Sequence, residues 1–198
     1  MINAVEFIHP IDRERLHGTG DPCDPRHDFS PEVQGLIDEL SAMLRAAKTS
    51  DEAFELLVDH LGPLLPFDRI AFSVIDPATQ TLAANRLLSN HPVVWHSEGV
   101  HLDWGSSLGP LMSEGAIRII HDLKHYQRLR PSSEATRALL QEGMRSSLAV
   151  PLYHDGEPLG FLFLTSAAPE AYTTQHAGVA IALAPVMGQA LGKPPEEL

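Results

Sequence analysis

The sequence predicts an α/β fold of the α+β kind, an antiparallel sheet with helices packed on its faces, and three stretches carry that expectation. Ser146 to Tyr153 and Pro158 to Ser166 are apolar runs joined by His154-Asp155-Gly156-Glu157, whose Asp-Gly pair suits a tight hairpin turn because glycine accepts positive φ. Ile70, Phe72 and Val74 alternate with other residues before Asp76-Pro77-Ala78-Thr79, turn chemistry that lets Thr81 to Leu88 return as a second strand. Apolar residues at helical spacing lie before and after both hairpins. Strands joined by hairpins pair antiparallel, and their apolar faces need helices to cover them.

The elements follow in order. Met1 to Phe29 mixes charges, histidines and turn-formers and reads as an extension or linker; Val5, Phe7 and Ile8 within it suit an edge strand on the domain surface. Ser30-Pro31-Glu32 places a capping residue before proline at the first helical position, and Val33, Leu36, Ile37, Leu40, Met43 and Leu44 continue one helix face to about Ala47. Thr49 and Glu52 have capping-box spacing for a second helix whose apolar face is Phe54, Leu57, Val58 and Leu61; Gly62-Pro63 and Pro66 end it. The first hairpin follows. Ser89 to Trp104 is a mixed segment with strand fragments at Val93 to Trp95 and Val100 to Leu102. Ser106 to Glu114 reads as a short helix closed by Gly115, Ala116 to Ile120 as a strand, and Ser132 to Glu142 as a helix closed by Gly143. The second hairpin leads into a last helix, Thr173 to Leu191, and a polar tail. The domain organisation is thus an extension over 1–29, one domain over 30–192 and a tail over 193–198.

Composition bounds the partners. The chain has 198 residues, enough for one well-formed core, and 26 acidic against 14 basic side chains give a formal charge of −12. That sign opposes binding to nucleic acid or to an anionic membrane. Cys23 is the only cysteine, which rules out an intrachain disulfide, a CxxC redox pair and a multi-thiolate zinc site, and fits a reducing cytoplasm. No apolar stretch approaches membrane-spanning length, and Met1 to Pro10 lacks the pattern of a secretory signal. Catalytic motifs are missing too: there is no GxSxG elbow, no GxxxxGK[ST] loop, no HExxH and no kinase set.

From about Pro31 to Leu191 the chain resembles a GAF domain, a sensory module of bacterial signalling proteins. The resemblance rests on Gly143-Met144-Arg145-Ser146-Ser147-Leu148-Ala149-Val150-Pro151-Leu152, the Asp-Gly turn, and Pro158-Leu159-Gly160-Phe161-Leu162-Phe163-Leu164. Phe67-Asp68-Arg69-Ile70-Ala71-Phe72, Gly105-Ser106-Ser107-Leu108 and Ile119-Ile120-His121-Asp122-Leu123 add to it in the right order. It implies a sheet of about six strands with the first and last helices on one face. On the other face it implies a pocket for a small-molecule ligand, lined by the mixed segment, the short helix and the helix before the second hairpin. It also implies a homodimer formed through the terminal helices and a fused or partner output domain. The identity of the ligand or cofactor is not implied. Cyclic-nucleotide-binding members carry Asn-Lys after the last strand and Phe-xxx-Asp-Glu at the final helix; here stand Thr165-Ser166 and Tyr172-Thr173-Thr174-Gln175-His176. Members that reduce free methionine sulfoxide need several cysteines, and bilin-binding members need one in a sequence context that Cys23 lacks.

Within that frame the expected ligand-binding residues are Trp95, Trp104 and Tyr126 as an aromatic wall, with Ser106, Ser107, His121 and Arg128 as polar contacts. The same residue types also serve as core packing and helix caps. His96, His101, His121 and His125, near His91, form the densest imidazole region and give the alternative reading, a metal- or haem-binding redox or gas sensor. Ordinary loop histidines are the plainer account, and the helix before Met144-Arg145-Ser146 lacks the histidine of the haem-binding subgroup. Arg145 is a candidate for an anionic ligand or for a surface salt bridge. Asp122 reads as structural, bonding nearby backbone amides. A third reading is a dimerisation module whose pocket is filled by its own side chains.

Overall fold

The computed structural model describes residues 4–8, 29–94 and 108–195. Six strands, β1 (Val5–Ile8), β2 (Arg69–Asp76), β3 (Thr81–Ser89), β4 (Ile117–Ile120), β5 (Ser146–His154) and β6 (Glu157–Ser166), form one antiparallel sheet in the order β1-β4-β5-β6-β2-β3. Both expected hairpins are present. The β5–β6 turn has Asp155 at φ 50° and Gly156 at φ 85°, the pair of positive φ values that lets two residues reverse a twisted ribbon. In the β2–β3 turn the Asp76 carboxylate accepts from the Ala78 amide at 2.8 Å. Val5 to Ile8 supply an edge strand, paired with β4 from Val5↔Ile120 to Ile8↔Ile117. Cys23 lies outside the described residues.

Helices α1 (Pro31–Ala46), α2 (Ser50–His60) and α6 (Thr174–Leu191) form the layer on one face. The two expected caps are present, Ser30 accepting from Val33 and Thr49 from Glu52, and Thr173, expected as the first residue of the last helix, is its cap and accepts from His176. α6 lies directly on β5, and α1 and α2 pack against α6. Covered on both sides, α6 is apolar nearly all round, and it runs through Pro185 as one helix.

The opposite face carries α3 (Gly109–Glu114), α4 (Leu123–Leu129) and α5 (Glu134–Gln141). Here the structure departs from the local pattern. α3 begins at Gly109 and not at Ser106, α5 begins at Glu134 behind the cap Ser133, and Val93 and Val94 are not in a strand. α4 was not expected at all. Its seven residues are held by the Asp122 cap and by Leu123, which joins Ile120, Leu139 and Met144 in a small cluster under α4 and α5.

Candidate functional site

Strand pairing gives the sheet two chemically different faces. Side chains alternate along a strand, so Leu148, Val150 and Leu152 of β5 share a face with Leu162 and Leu164 of β6, Ile70 and Phe72 of β2, and Ile119 of β4. This face is apolar and carries α6; His154, at its end, lies against Gly192 just beyond that helix. The other face presents Ser147, Ala149 and Tyr153 from β5, Phe161, Phe163 and Thr165 from β6, Arg69, Ala71 and Ser73 from β2, and Arg118 from β4. Two arginines, three hydroxyl residues and a phenol are buried there.

Each charge is placed by a neighbouring element. Arg69 is 2% exposed and its Nε lies 3.0 Å from Glu142 Oε2 at the end of α5, itself 0% exposed. Burial pulls the Arg69 pKa below its ordinary value, and Glu142 opposes that shift. The other carboxylate oxygen of Glu142 accepts from the Val94 amide at 2.7 Å, so one acid holds both an arginine of the sheet and the chain leaving β3. Burial also lowers the pKa of Arg118, with the phenol of Tyr126 on α4 opposing. At the far end of β5, some 20 Å from Ser147 at ~3.3 Å per residue, Tyr153 donates its hydroxyl to the Met112 carbonyl on α3.

Two further features mark this face. Thr165 lies directly opposite Arg69 on one side and Ser147 on the other, is 1% exposed, and its Oγ1 has no hydrogen-bond partner among the described residues. Phe163 is in a central strand yet only half-buried, and it stacks on Phe161 with ring centroids 5.7 Å apart. Most buried hydroxyls are satisfied, and a phenyl ring at the middle of a sheet is ordinarily covered.

Of the residues expected from sequence, Trp95, Trp104, Ser106 and Ser107 lie outside the described residues, as do His96 and His101. Tyr126 comes to the polar face, packed against the Ile120 cluster and coupled to Arg118. His121 does not: its Nε2 lies 3.1 Å from Glu6 Oε2, and Glu6 stands opposite Ile119, whose side chain faces the α6 layer. Arg128 is exposed on α4, away from the sheet. Among the described residues no group of three His, Cys, Asp or Glu side chains is placed to hold a metal ion. Arg145 bonds Asp122 at 3.2 Å.

Asp122 is the N-cap of α4, accepting from the Lys124 amide at 2.9 Å. Burial alone raises its carboxyl pKa, but the hydrogen bonds from Lys124, Arg145 and His125 outweigh it and hold the group below its ordinary 3.8. A depressed folded value means stability that is present above the unfolded pKa and lost as pH falls through the folded one. Asp122→Ala is therefore expected to cost about 1 kcal/mol at neutral pH, with the gap to wild type closing as pH falls below about 4. Paired urea melts across pH 3 to 7 check both the size and the sign, and a gap that widens in acid refutes it.

Arg69, Arg118, Glu142, Phe163 and Thr165 are the site residues that local reading missed. Arg118 carried a faint signal, a lone cation among Ile117, Ile119 and Ile120.

A six-stranded antiparallel sheet with one helix-covered apolar face and one face of buried polar groups defines an α+β domain of sheet-and-helix layers. The chain belongs to the GAF domain family, whose model matches residues 47–192. GAF domains are regulatory and sensor modules of signalling proteins. None of the curated proteins matches the sequence. Among solved structures, the GAF domain of an Acinetobacter phosphoenolpyruvate-protein phosphotransferase superposes with a TM-score of 0.62 at 11% identity, covering 82% of this chain and 94% of that one. The free methionine-R-sulfoxide reductase of Neisseria meningitidis, in complex with its substrate, gives 0.60 at 14%, covering 83% and 92%. The chromophore-binding domain of Stigmatella aurantiaca phytochrome P1 gives 0.61 at 18%, covering 82% and 61%. At these identities the likeness is one of fold. Among the described residues no helix is long and apolar enough to cross a membrane.

Proposed function

We propose that this GAF domain is a non-enzymatic sensor that binds a small molecule on the polar face of the sheet, between the Arg69–Glu142 pair and Tyr153. The observation that carries the reading is Thr165: a buried hydroxyl without a partner among the described residues, two residues from a half-buried mid-sheet phenyl ring, is what a ligand-shaped gap leaves behind. Occupancy acts by favouring one packing of the terminal helices α1 and α6 on the sheet, and so changes a fused or partner output domain. The same reading makes the protein a homodimer through those helices, working in a bacterial cytoplasm, which the single cysteine supports.

The reductase likeness does not bring its chemistry here. A thiol cycle needs several cysteines at the site, and Cys23 is the only one in the sequence.

The test is a thermal-shift screen of metabolites, metal ions and tetrapyrroles on wild type and Thr165→Val. A ligand at about one hundred times its Kd adds about 2.7 kcal/mol, or a rise on the order of 5–10 °C for a domain of this size. Thr165→Val should leave the melting temperature of the free protein unchanged or slightly higher, because it removes an unpaired hydroxyl at constant shape. It should also shrink the ligand-induced shift. A screen without hits, or hits indifferent to Thr165→Val and to Phe163→Ala, would overturn this site.

A further inference from the structure

Arg128, expected at the ligand site, faces outward, and what surrounds it has a character of its own. Between 118 and 145 the chain carries six basic and three acidic side chains, against 14 and 26 overall. The acids are almost fully committed: Asp122 caps α4 and bonds Arg145, and Glu142 is buried on Arg69. That leaves Lys124, Arg128, Arg130 and Arg137 exposed, with Glu134 as the exposed acid of the segment.

In the middle of these cations stands Leu129, 59% exposed, the most exposed of the large apolar side chains described. The corner holding it is braced. Gln127 Nε2 and Arg137 Nη2 both donate to the Pro131 carbonyl, at 2.9 and 3.3 Å, and the Ser133 amide donates to Arg130 O at 3.0 Å. Arg137 of α5 is thereby held against the Pro131 carbonyl, one residue beyond Arg130. An apolar anchor flanked by arginines on a braced turn is a composition found at binding interfaces.

We propose that the α4–α5 corner docks an acidic segment of a partner protein, which places one apolar side chain on Leu129 and carboxylates on Arg128, Arg130 and Arg137. Charge complementarity selects the occupant. A nucleic-acid backbone matches the four cations but gives Leu129 nothing to meet. A second copy offers acids on α1 and α2, where Glu32, Asp38, Glu39, Glu52, Glu55 and Asp59 are exposed. Those helices lie on the opposite side of the sheet, so that contact would be head-to-tail and would propagate into open chains.

The probe is a fluorescein-labelled helical peptide of Glu and Ala with two Leu residues four apart, titrated with the full chain by fluorescence anisotropy and mapped by backbone amide NMR. Shift changes are expected to cluster on Lys124–Arg137. Leu129→Ser is expected to weaken binding roughly tenfold, and the pair Arg128→Glu with Arg130→Glu to abolish it. A peptide with Gln for Glu should not bind. All three substitutions are at exposed positions, so circular dichroism and melting temperature should match wild type. Affinity unchanged by Leu129→Ser, shifts mapping elsewhere, or no binding overturns the proposal. So does tighter binding of duplex DNA at the same corner, or self-association of wild type that the two charge reversals abolish.

Discussion

Replacing Gly188 by valine is expected to lower the melting temperature by about 10 °C. Gly188 is where α6 touches the sheet: a Cβ there would fall far inside van der Waals contact distance of the Tyr153 carbonyl oxygen, with the Tyr153 amide nitrogen and carbonyl carbon each at 3.1 Å. Those are backbone atoms of a central strand, so no rotamer change relieves the clash. Overpacking against side chains costs about 1–3 kcal/mol; against a fixed backbone the cost is at least the top of that range, and 1 kcal/mol moves a domain of this size by ~2–4 °C. Gly160 is equally confined by the Ser73 carbonyl and should respond alike. Gly35 is the control, since a Cβ there meets nothing within 4 Å. In the exposed interior of α1, Gly35→Ala should stabilise by about 0.5–1 kcal/mol through helix propensity. Calorimetric melts of the three variants decide it. If Gly188→Val melts within a few degrees of wild type, α6 does not rest on β5 as described.

What the chain discloses of this fold in its sequence depends on how local the determining interaction is. The β5–β6 hairpin is readable because two apolar runs and the Asp-Gly turn between them lie within 21 residues. The caps Ser30 and Thr49 are readable because each bonds three residues ahead. α4 is too short for a 3.6-residue period to register, and its cap Asp122 looks the same as a residue that simply ends a strand. The polar face is hidden for a different reason. Arg69 stands beside Ile70 and Arg118 between two isoleucines, so each sits opposite an apolar neighbour. That the two share one face follows only from the register Arg69↔Thr165, Phe163↔Ala149 and Ala149↔Arg118, which joins four strands from three parts of the chain. Tyr126, expected from family position, lies near Arg118; Arg128, two residues on, is exposed, since successive helix positions turn by about 100°.

The Arg69–Glu142 pair is the strongest case of an interaction that no local pattern announces, and breaking it should have the second large effect. With both side chains essentially out of solvent, neither charge can be hydrated once its partner is gone. Arg69→Met leaves a buried carboxylate whose described partner is the Val94 amide, and Glu142→Gln leaves a buried guanidinium facing a neutral amide. Each single substitution is expected to destabilise by about 3–5 kcal/mol, because removing one partner of a buried pair takes away the opposite charge that offsets the other's desolvation. The double variant Arg69→Met with Glu142→Gln keeps an acceptor for Val94 and removes both charges, so it should lie within about 1–2 kcal/mol of wild type. A double-mutant cycle in urea then gives a large favourable coupling, on the order of several kcal/mol. Asp122–Arg145, partly exposed on the same side of the molecule, should give less than about 1 kcal/mol in the same cycle. Additive losses at 69 and 142 would mean the pair is not coupled in solution. The cycle also bears on the sensor reading, because Glu142 ties α5, the end of β3 and the row Arg69–Thr165–Ser147 into one rigid end of the polar face. The charged singles should therefore weaken ligand binding beyond their loss of stability, while the double variant, with that end repacked and neutral, should recover stability without recovering an arginine-dependent affinity.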